Sequence, residues 1–341
     1  MGIKNERILI FGGTGSLGQS LIRRFSSNNE LILFSRDEAK HWTLKNNLPK
    51  NSKVTFIVGD VRDKIRVQEA LIHSSPSIVI MASALKQVDT CELSPYESIQ
   101  TNLLGIKHIV DCVSLLGHKI SSLKTVLMIS TDKACAPTNV YGMCKAIAER
   151  IVTSESKYSN SIKFLGVRYG NVLESRGSII PLFKHQIQNS QYLTITHKEM
   201  TRFIMTLDQS IDLIQKTILD GKSGEIWIPN IKSMRILDLA EIFSEKFNKP
   251  IKVTGIRPGE KLHEDLISPP ESIRTRKLAE HYVIDTPFSE PDRLNDFFSY
   301  SSNSDILSKS DLGNYLETLG IFERSIKDFV GRTIEEIDTS R

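Results

Sequence analysis

Arg7-Ile8-Leu9-Ile10-Phe11-Gly12-Gly13-Thr14-Gly15-Ser16-Leu17-Gly18 is the stretch that decides the fold. An apolar run breaks into a glycine loop, and the loop opens an amphipathic stretch over 16–27. The spacing Gly13-x-Gly15-x-x-Gly18 is a weak signal alone. Between a strand and a helix it has a mechanism, because bare backbone approaches a pyrophosphate while helix-end amides face its charge. Gly12, Thr14, Gly15, Ser16, Leu17 and Gly18 are therefore expected at a dinucleotide.

Working outward, the first half alternates short β-rich runs with longer helical ones. Strands are expected over 7–11, 31–34, 54–58, 78–81, 125–130 and 162–167, and amphipathic helices over 16–27, 64–74 and 95–116. Such alternation predicts an α/β fold: a doubly wound, parallel Rossmann sheet with helices on both faces. After Arg168 the segments shorten and Pro/Gly punctuation rises. The division expected is a dinucleotide-binding domain over 1–167, rejoined by about 204–221. Residues 168–341 then form mainly a smaller α/β substrate domain, and the helical patterns over 311–319 and 321–337 form a terminal arm.

Bulk properties narrow the function class. The chain has 341 residues, 40% hydrophobic and 25% charged, with a formal charge of +4. No Lys/Arg run tracks a phosphate backbone, so no nucleic-acid partner is expected. No run of about 18 apolar residues is present, so no membrane span is expected. The apolar stretch 8–11 is too short for a signal peptide, and Glu6 stands where a myristoylation motif needs Ser or Thr. The four cysteines form no C-x-x-C pair. A cytoplasmic protein with reduced thiols is the expectation. His263-Glu264-Asp265 is too compact for a metal site and reads as polar surface, so no metal is expected.

The second strand bears on the cofactor. It ends in Ser35-Arg36, and an arginine fork suits a 2′-phosphate where a carboxylate would repel it, so NADP is favoured over NAD. Asp37, one step later, argues the other way, and Lys40 is a second candidate phosphate contact. Asp60-Val61 follows the third strand, where Asp60 suits either an adenine edge or a structural Asx turn.

Tyr141 and Lys145 stand four apart and share a helix face. A phenol of pKa roughly 10 is a poor base at neutral pH, and a nearby ammonium favours its phenolate. The fifth strand ends in Ser130-Thr131-Asp132-Lys133, where such sheets bind ligands. Thr131 is expected to orient a substrate. An acid beside an amine is superfluous for alcohol oxidation. It is needed when water leaves one carbon while a proton leaves its neighbour, with Lys133 neutral as base and Asp132 as acid.

These motifs, with Met81-Ala82-Ser83-Ala84-Leu85-Lys86-Gln87-Val88, Arg168-Tyr169-Gly170-Asn171-Val172, Ser175-Arg176-Gly177-Ser178, Met200-Thr201-Arg202-Phe203 and Arg257-Pro258-Gly259-Glu260-Lys261, resemble the inverting UDP-N-acetylglucosamine 4,6-dehydratases. Those are extended short-chain dehydrogenases that make precursors of surface sugars. The resemblance spans about residues 6 to 319. It implies Asp132, Lys133, Tyr141 and Lys145 as catalytic residues. It implies Ala82, Ser83, Ala84, Lys86 and Asn102 at a recycled NADP. It implies Lys86, Thr131, Asn171, Ser178, Thr194, Arg202, Arg257 and Glu260 at UDP-N-acetylglucosamine, and a homo-oligomer, either dimer or hexamer. Glucose-nucleotide dehydratases carry Glu where this chain has Lys133, and some capsule-synthesis relatives carry Met where it has Tyr141. The rivals are a UDP-sugar 4-epimerase or 4-reductase, which needs Tyr141 and Lys145 but not Asp132 and Lys133, and a non-catalytic NADP-sensing protein.

Overall fold

β1 (Arg7–Phe11), β2 (Glu30–Ser35), β3 (Val54–Val58), β4 (Ile78–Met81), β5 (Thr125–Ile129) and β6 (Lys163–Val167) form a parallel sheet in the order 3-2-1-4-5-6. Each strand falls within one residue of its expected bounds. The computed structural model describes residues 2–49, 52–173, 175, 177–288 and 297–324. Every residue of β4 and β5 is buried, which explains why these strands read as unbroken apolar runs.

Among the described residues of the first half, seven α-helices accompany this sheet: α1 (Ser16–Phe25), α2 (Glu38–Asn47), α3 (Lys64–Ser74), α4 (Val88–Leu93), α5 (Pro95–Ser98), α6 (Gly105–Leu116) and α7 (Val140–Ser154). Polar side chains start several of them. Asp63 accepts from Ile65 N and Arg66 N, and Asn139 accepts from Gly142 N, satisfying amides that a helix leaves open. The single helix expected over 95–116 is instead α5, a π-helical stretch Ile99–Leu104, and α6. Within the wider turn, Asn102 reaches Leu85 in the loop after β4.

The second half both builds a smaller body and returns to the sheet. Its elements are β7 (Asn171–Val172), α8 (Ile179–Asn189), β8 (Leu193–Ile195), β9 (Thr201–Met205), α9 (Leu207–Asp220), β10 (Ile226–Pro229), β11 (Ser233–Arg235), α10 (Ile236–Phe247), β12 (Ile251–Val253), β13 (Asp265–Ile267), α11 (Pro269–Ser272), β14 (Thr275–Lys277), β15 (His281–Ile284), β16 (Tyr300–Ser301) and α12 (Lys309–Thr318). The helix α9 packs on α1 and β6. β10 continues the sheet parallel to β6, and β15 and β14 extend it antiparallel, so nine described strands share one sheet. The smaller body closes over a separate core that includes Phe183, Leu193, Met234, Phe243 and Leu316. The pattern over 311–319 is α12, and most of 321–337 lies outside the described residues.

Candidate active site

The glycine loop is pressed against the neighbouring strand ends. Gly12 has φ +87°, and a Cβ there would stand 2.6 Å from Ser83 N. A Cβ on Gly18 would stand 2.2 Å from Gly13 O, so α1 meets the loop at a distance only glycine permits. Gly12, Gly15, Ser16, Leu17 and Gly18 line one end of a cleft of about 610 Å³, with Ala82, Ala84 and Lys86 beside them. That volume lies within the range of small-molecule sites.

Thr14, Ser35 and Asn102 support this end from behind. Thr14 Oγ1 donates to Ser35 Oγ (3.1 Å), which pairs with buried His41 (2.5 Å). The carboxamide of Asn102 bonds both Leu85 N and Leu85 O at 2.8 Å, so it holds the loop. Val61 is buried beneath Gly105, and Ser83 Oγ is buried without a partner. Arg36 is half exposed and lies 3.7 Å from Asp60. Asp37 caps α2 by accepting from Lys40 N and pairs with the Lys40 amine at 2.9 Å. Asp60 makes the Asx turn, accepting from Arg62 N (3.0 Å) and the Arg62 guanidinium (2.7 Å). Arg62 is a partner that sequence reading did not find.

The other end of the cleft is ionisable. Thr131, Asp132 and Lys133 follow β5, and Tyr141 and Lys145 come from the first turns of α7. Asp132 is buried; its Oδ1 accepts from Thr131 Oγ1 (2.9 Å) and Lys133 Nζ (3.1 Å), while its Oδ2 has no partner. Lys133 Nζ also lies 3.0 Å from Oε1 of Glu264, whose Oε2 is likewise buried and unpartnered. Lys145 Nζ donates to Ile129 O at 2.6 Å. Ser130 Oγ, Asn171 Oδ1 and Ser178 Oγ complete a set of buried polar atoms without partners near the cleft.

Four expectations are corrected here. Residues 263–265 are not simply polar surface, because Glu264 is buried in the cleft wall against Lys133. Lys133 does not have a depressed pKa. Burial pulls its pKa down, but the Asp132 and Glu264 carboxylates outweigh burial and hold the proton on. Tyr141 is pushed up by burial, and the largest influence pulling it back is Lys133 rather than Lys145. Lys145 is itself lowered to about 8 by burial, which weakens it as a source of charge. Thr194 lies in β8, bonded to Gln186, and does not line the cleft.

Arg202 lines the cleft, but its guanidinium donates to the carbonyls of Thr201, Leu262 and Lys261 at 2.7–3.1 Å. It therefore organises the turn that carries Glu264. Arg257 is largely exposed at the cleft and lies 3.6 Å from Glu260, which also accepts from Arg257 N. Arg176 lies outside the described residues. All four cysteines are buried and unpaired, and Cys144 faces Ser98. No described helix is long and apolar enough to cross a membrane.

Residues 8–286 match a family described as polysaccharide biosynthesis protein. The inverting UDP-N-acetylglucosamine 4,6-dehydratase of Campylobacter jejuni subsp. jejuni serotype O:23/36 (strain 81-176) is 35% identical over 320 residues, 88% of this chain and 93% of that one. The UDP-glucose 4-epimerase of Rickettsia bellii (strain OSU 85-389) is 38% identical over 290 residues, 82% of this chain and 83% of that one. Among solved structures, Pen from Bacillus thuringiensis superposes with a TM-score of 0.84 at 32% identity, covering 93% of this chain and 99% of that one.

Proposed function

This chain belongs to the polysaccharide biosynthesis protein family, and we propose that it is an NADP-dependent UDP-N-acetylglucosamine 4,6-dehydratase that inverts C5. The observation that carries this reading is the acid–amine pair of buried Asp132 and half-buried Lys133 at the tip of β5, beside Tyr141. The name of the Campylobacter relative supports the same chemistry. Epimerase names among relatives favour a second reading, UDP-sugar 4-epimerase, which needs Tyr141 and Lys145 and leaves the pair without a task.

The cleft fits a nicotinamide dinucleotide. Side-chain-free backbone at Gly15, the amino end of α1 and the unpartnered Ser130 hydroxyl offer it contacts. When bound, the nicotinamide supplies a hydride acceptor for C4 and a hydride donor for C6. Arg36, at the end of β2, supports a 2′-phosphate, since Asp37 is engaged in capping α2 and pairing with Lys40.

With a cationic nicotinamide bound beside it and Lys133 favouring the phenolate, Tyr141 would take the O4 proton as C4 is oxidised, and the resulting ketone acidifies the C5 hydrogen. Lys133 need not lose its proton to solvent. A proton shift along the 3.1 Å hydrogen bond to Asp132 turns ammonium and carboxylate into amine and acid. The amine then takes the C5 proton while the acid protonates the departing C6 hydroxyl. Water leaves, and ammonium and carboxylate are restored. C6 then takes hydride back, and C5 takes a proton on the face opposite the one it lost. That inverts C5 and balances the proton that Tyr141 took from O4. Asn171 and Ser178 bring unpartnered polar atoms to the sugar, and Arg257 serves the diphosphate. Incubation with C4-deuterated UDP-N-acetylglucosamine, followed by NMR, tests the scheme. A 4-keto-6-deoxy product with deuterium at C6 is expected. Deuterium in the solvent, a 4-epimer or unchanged substrate would each refute it.

A further inference from the structure

Glu264 has no role in the steps above, yet it lies within their machinery. Its carboxyl is 2% exposed, with Oε1 3.0 Å from Lys133 Nζ and Oε2 buried and unpartnered, and the residue lines the same cleft. It is firmly mounted. Glu264 N donates to Ser302 Oγ (2.9 Å), Ser302 N donates back to Glu264 O (2.8 Å), and Ser302 Oγ also meets Thr201 Oγ1 (2.7 Å). A buried carboxylate clamped this way beside a flexible lysine needs an explanation beyond packing, because an unpartnered buried oxygen is destabilising.

We infer that Glu264 is a positioning residue for the elimination step. It anchors Lys133 Nζ opposite Asp132 and supplies the second negative charge against which the proton moves between them. This rests on the dehydratase reading. Lysine has a long, mobile stem, and a single partner would leave Nζ free to swing about Asp132. Two carboxylates at 3.1 and 3.0 Å hold it in one place. The charged and titratable groups facing Glu264 are Lys133, Asp132 and, at 4.0 Å, Arg202. Arg202 in turn meets Glu260 at 3.8 Å, and Tyr141 is coupled through Lys133. Burial raises the Glu264 pKa and Lys133 opposes the rise.

The sign of the expected effect follows. A nearby anion raises the proton affinity of its neighbours, so removing it lowers their pKa values. Turnover of the pair requires one shared proton. The acid limb of the kcat profile marks gain of a second proton, and the alkaline limb marks loss of the shared one.

The test is the pH profile of kcat for purified, cofactor-loaded Glu264→Gln with UDP-N-acetylglucosamine, beside wild type and Glu264→Asp. Glu264→Gln is expected to lose about tenfold in kcat at neutral pH with little change in KM, and to move both limbs about one unit toward acid. Glu264→Asp keeps the charge but not the reach, so its limbs stay in place while kcat falls. A Glu264→Gln enzyme with the wild-type profile and kcat overturns the inference. If that variant does not fold, Glu264→Asp decides alone, and moved limbs or an unchanged kcat overturn it. If instead wild type makes no 4-keto-6-deoxy product, the dehydratase reading fails first, and this inference with it.

Discussion

Two buried ionic clusters sit at the tips of adjacent strands, and they are built differently. After β6, Arg168 is fully engaged. Its guanidinium bonds both oxygens of Glu149 (2.5 and 3.0 Å), both oxygens of Glu271 (2.8 and 3.0 Å) and Leu266 O (2.9 Å). Glu271 also accepts from Ser268, within the capping box of α11. After β5, Lys133 sits between Asp132 and Glu264, and each of these carboxyls leaves one oxygen unpartnered. The clusters touch through backbone, where Asp132 N donates to Tyr169 O at 3.0 Å. One cluster satisfies its charges internally and ties α7 and α11 to the sheet. The other keeps hydrogen-bonding capacity for something else. What sets the candidate site apart is incomplete satisfaction of its charge, because both clusters are charged and largely buried.

The sharpest way to break this contrast is Arg168→Met. It leaves two carboxylates buried without their cation and should cost about 3–5 kcal/mol, read as a fall in the urea midpoint. A cost under about 1 kcal/mol would remove the structural role. Asp132→Asn should do the reverse. Turnover should fall by about 10³, or about 4 kcal/mol of barrier, while Tm stays level or rises, since a poorly satisfied charge has gone. A large fall in Tm would make that cluster structural as well.

Titration separates the clusters more finely. Burial pushes Glu271 up, but Arg168 outweighs it and holds the carboxyl at about 2, down from an ordinary 4.5. A depressed carboxyl stabilises the fold above its unfolded pKa. The contribution, about 3 kcal/mol, should be lost as pH falls from 4.5 toward 2. Acid unfolding followed by circular dichroism should show that loss in wild type and a flatter curve in Arg168→Met. The smallest effect belongs to Ser130→Ala. Its hydroxyl is buried without a partner, so removing it should change stability by no more than about 1 kcal/mol. A several-fold weaker binding of cofactor, measured by calorimetry, is expected beside that near-neutral stability.

Much of the frame was legible without coordinates. Strand bounds from β1 to β6 came out within a residue, because strands buried on both faces cannot hide their apolar runs. Within 95–116 the π-helical stretch escaped notice, since apolar spacing does not report a widened turn. The elements β10, β14 and β15 are three or four residues long, too short for their pattern to announce that they rejoin the sheet. In the cleft wall, Tyr141, Lys145, Asp132 and Lys133 were legible as candidates because local motifs carry them. Glu264 was not. Flanked by His263 and Asp265, it looked like an exposed polar turn.

By itself, then, the sequence determined the glycine loop, the order of strand and helix, and the residue types at the tip of β5, since each depends on neighbours along the chain. Only the tertiary structure decided which charge faces which. It set Glu264 against Lys133, kept the lysine protonated, turned Arg202 onto backbone carbonyls and left Thr194 outside the cleft. The reason is physical: a proton's affinity depends on distances and burial in space, and residues far apart along the chain supply both.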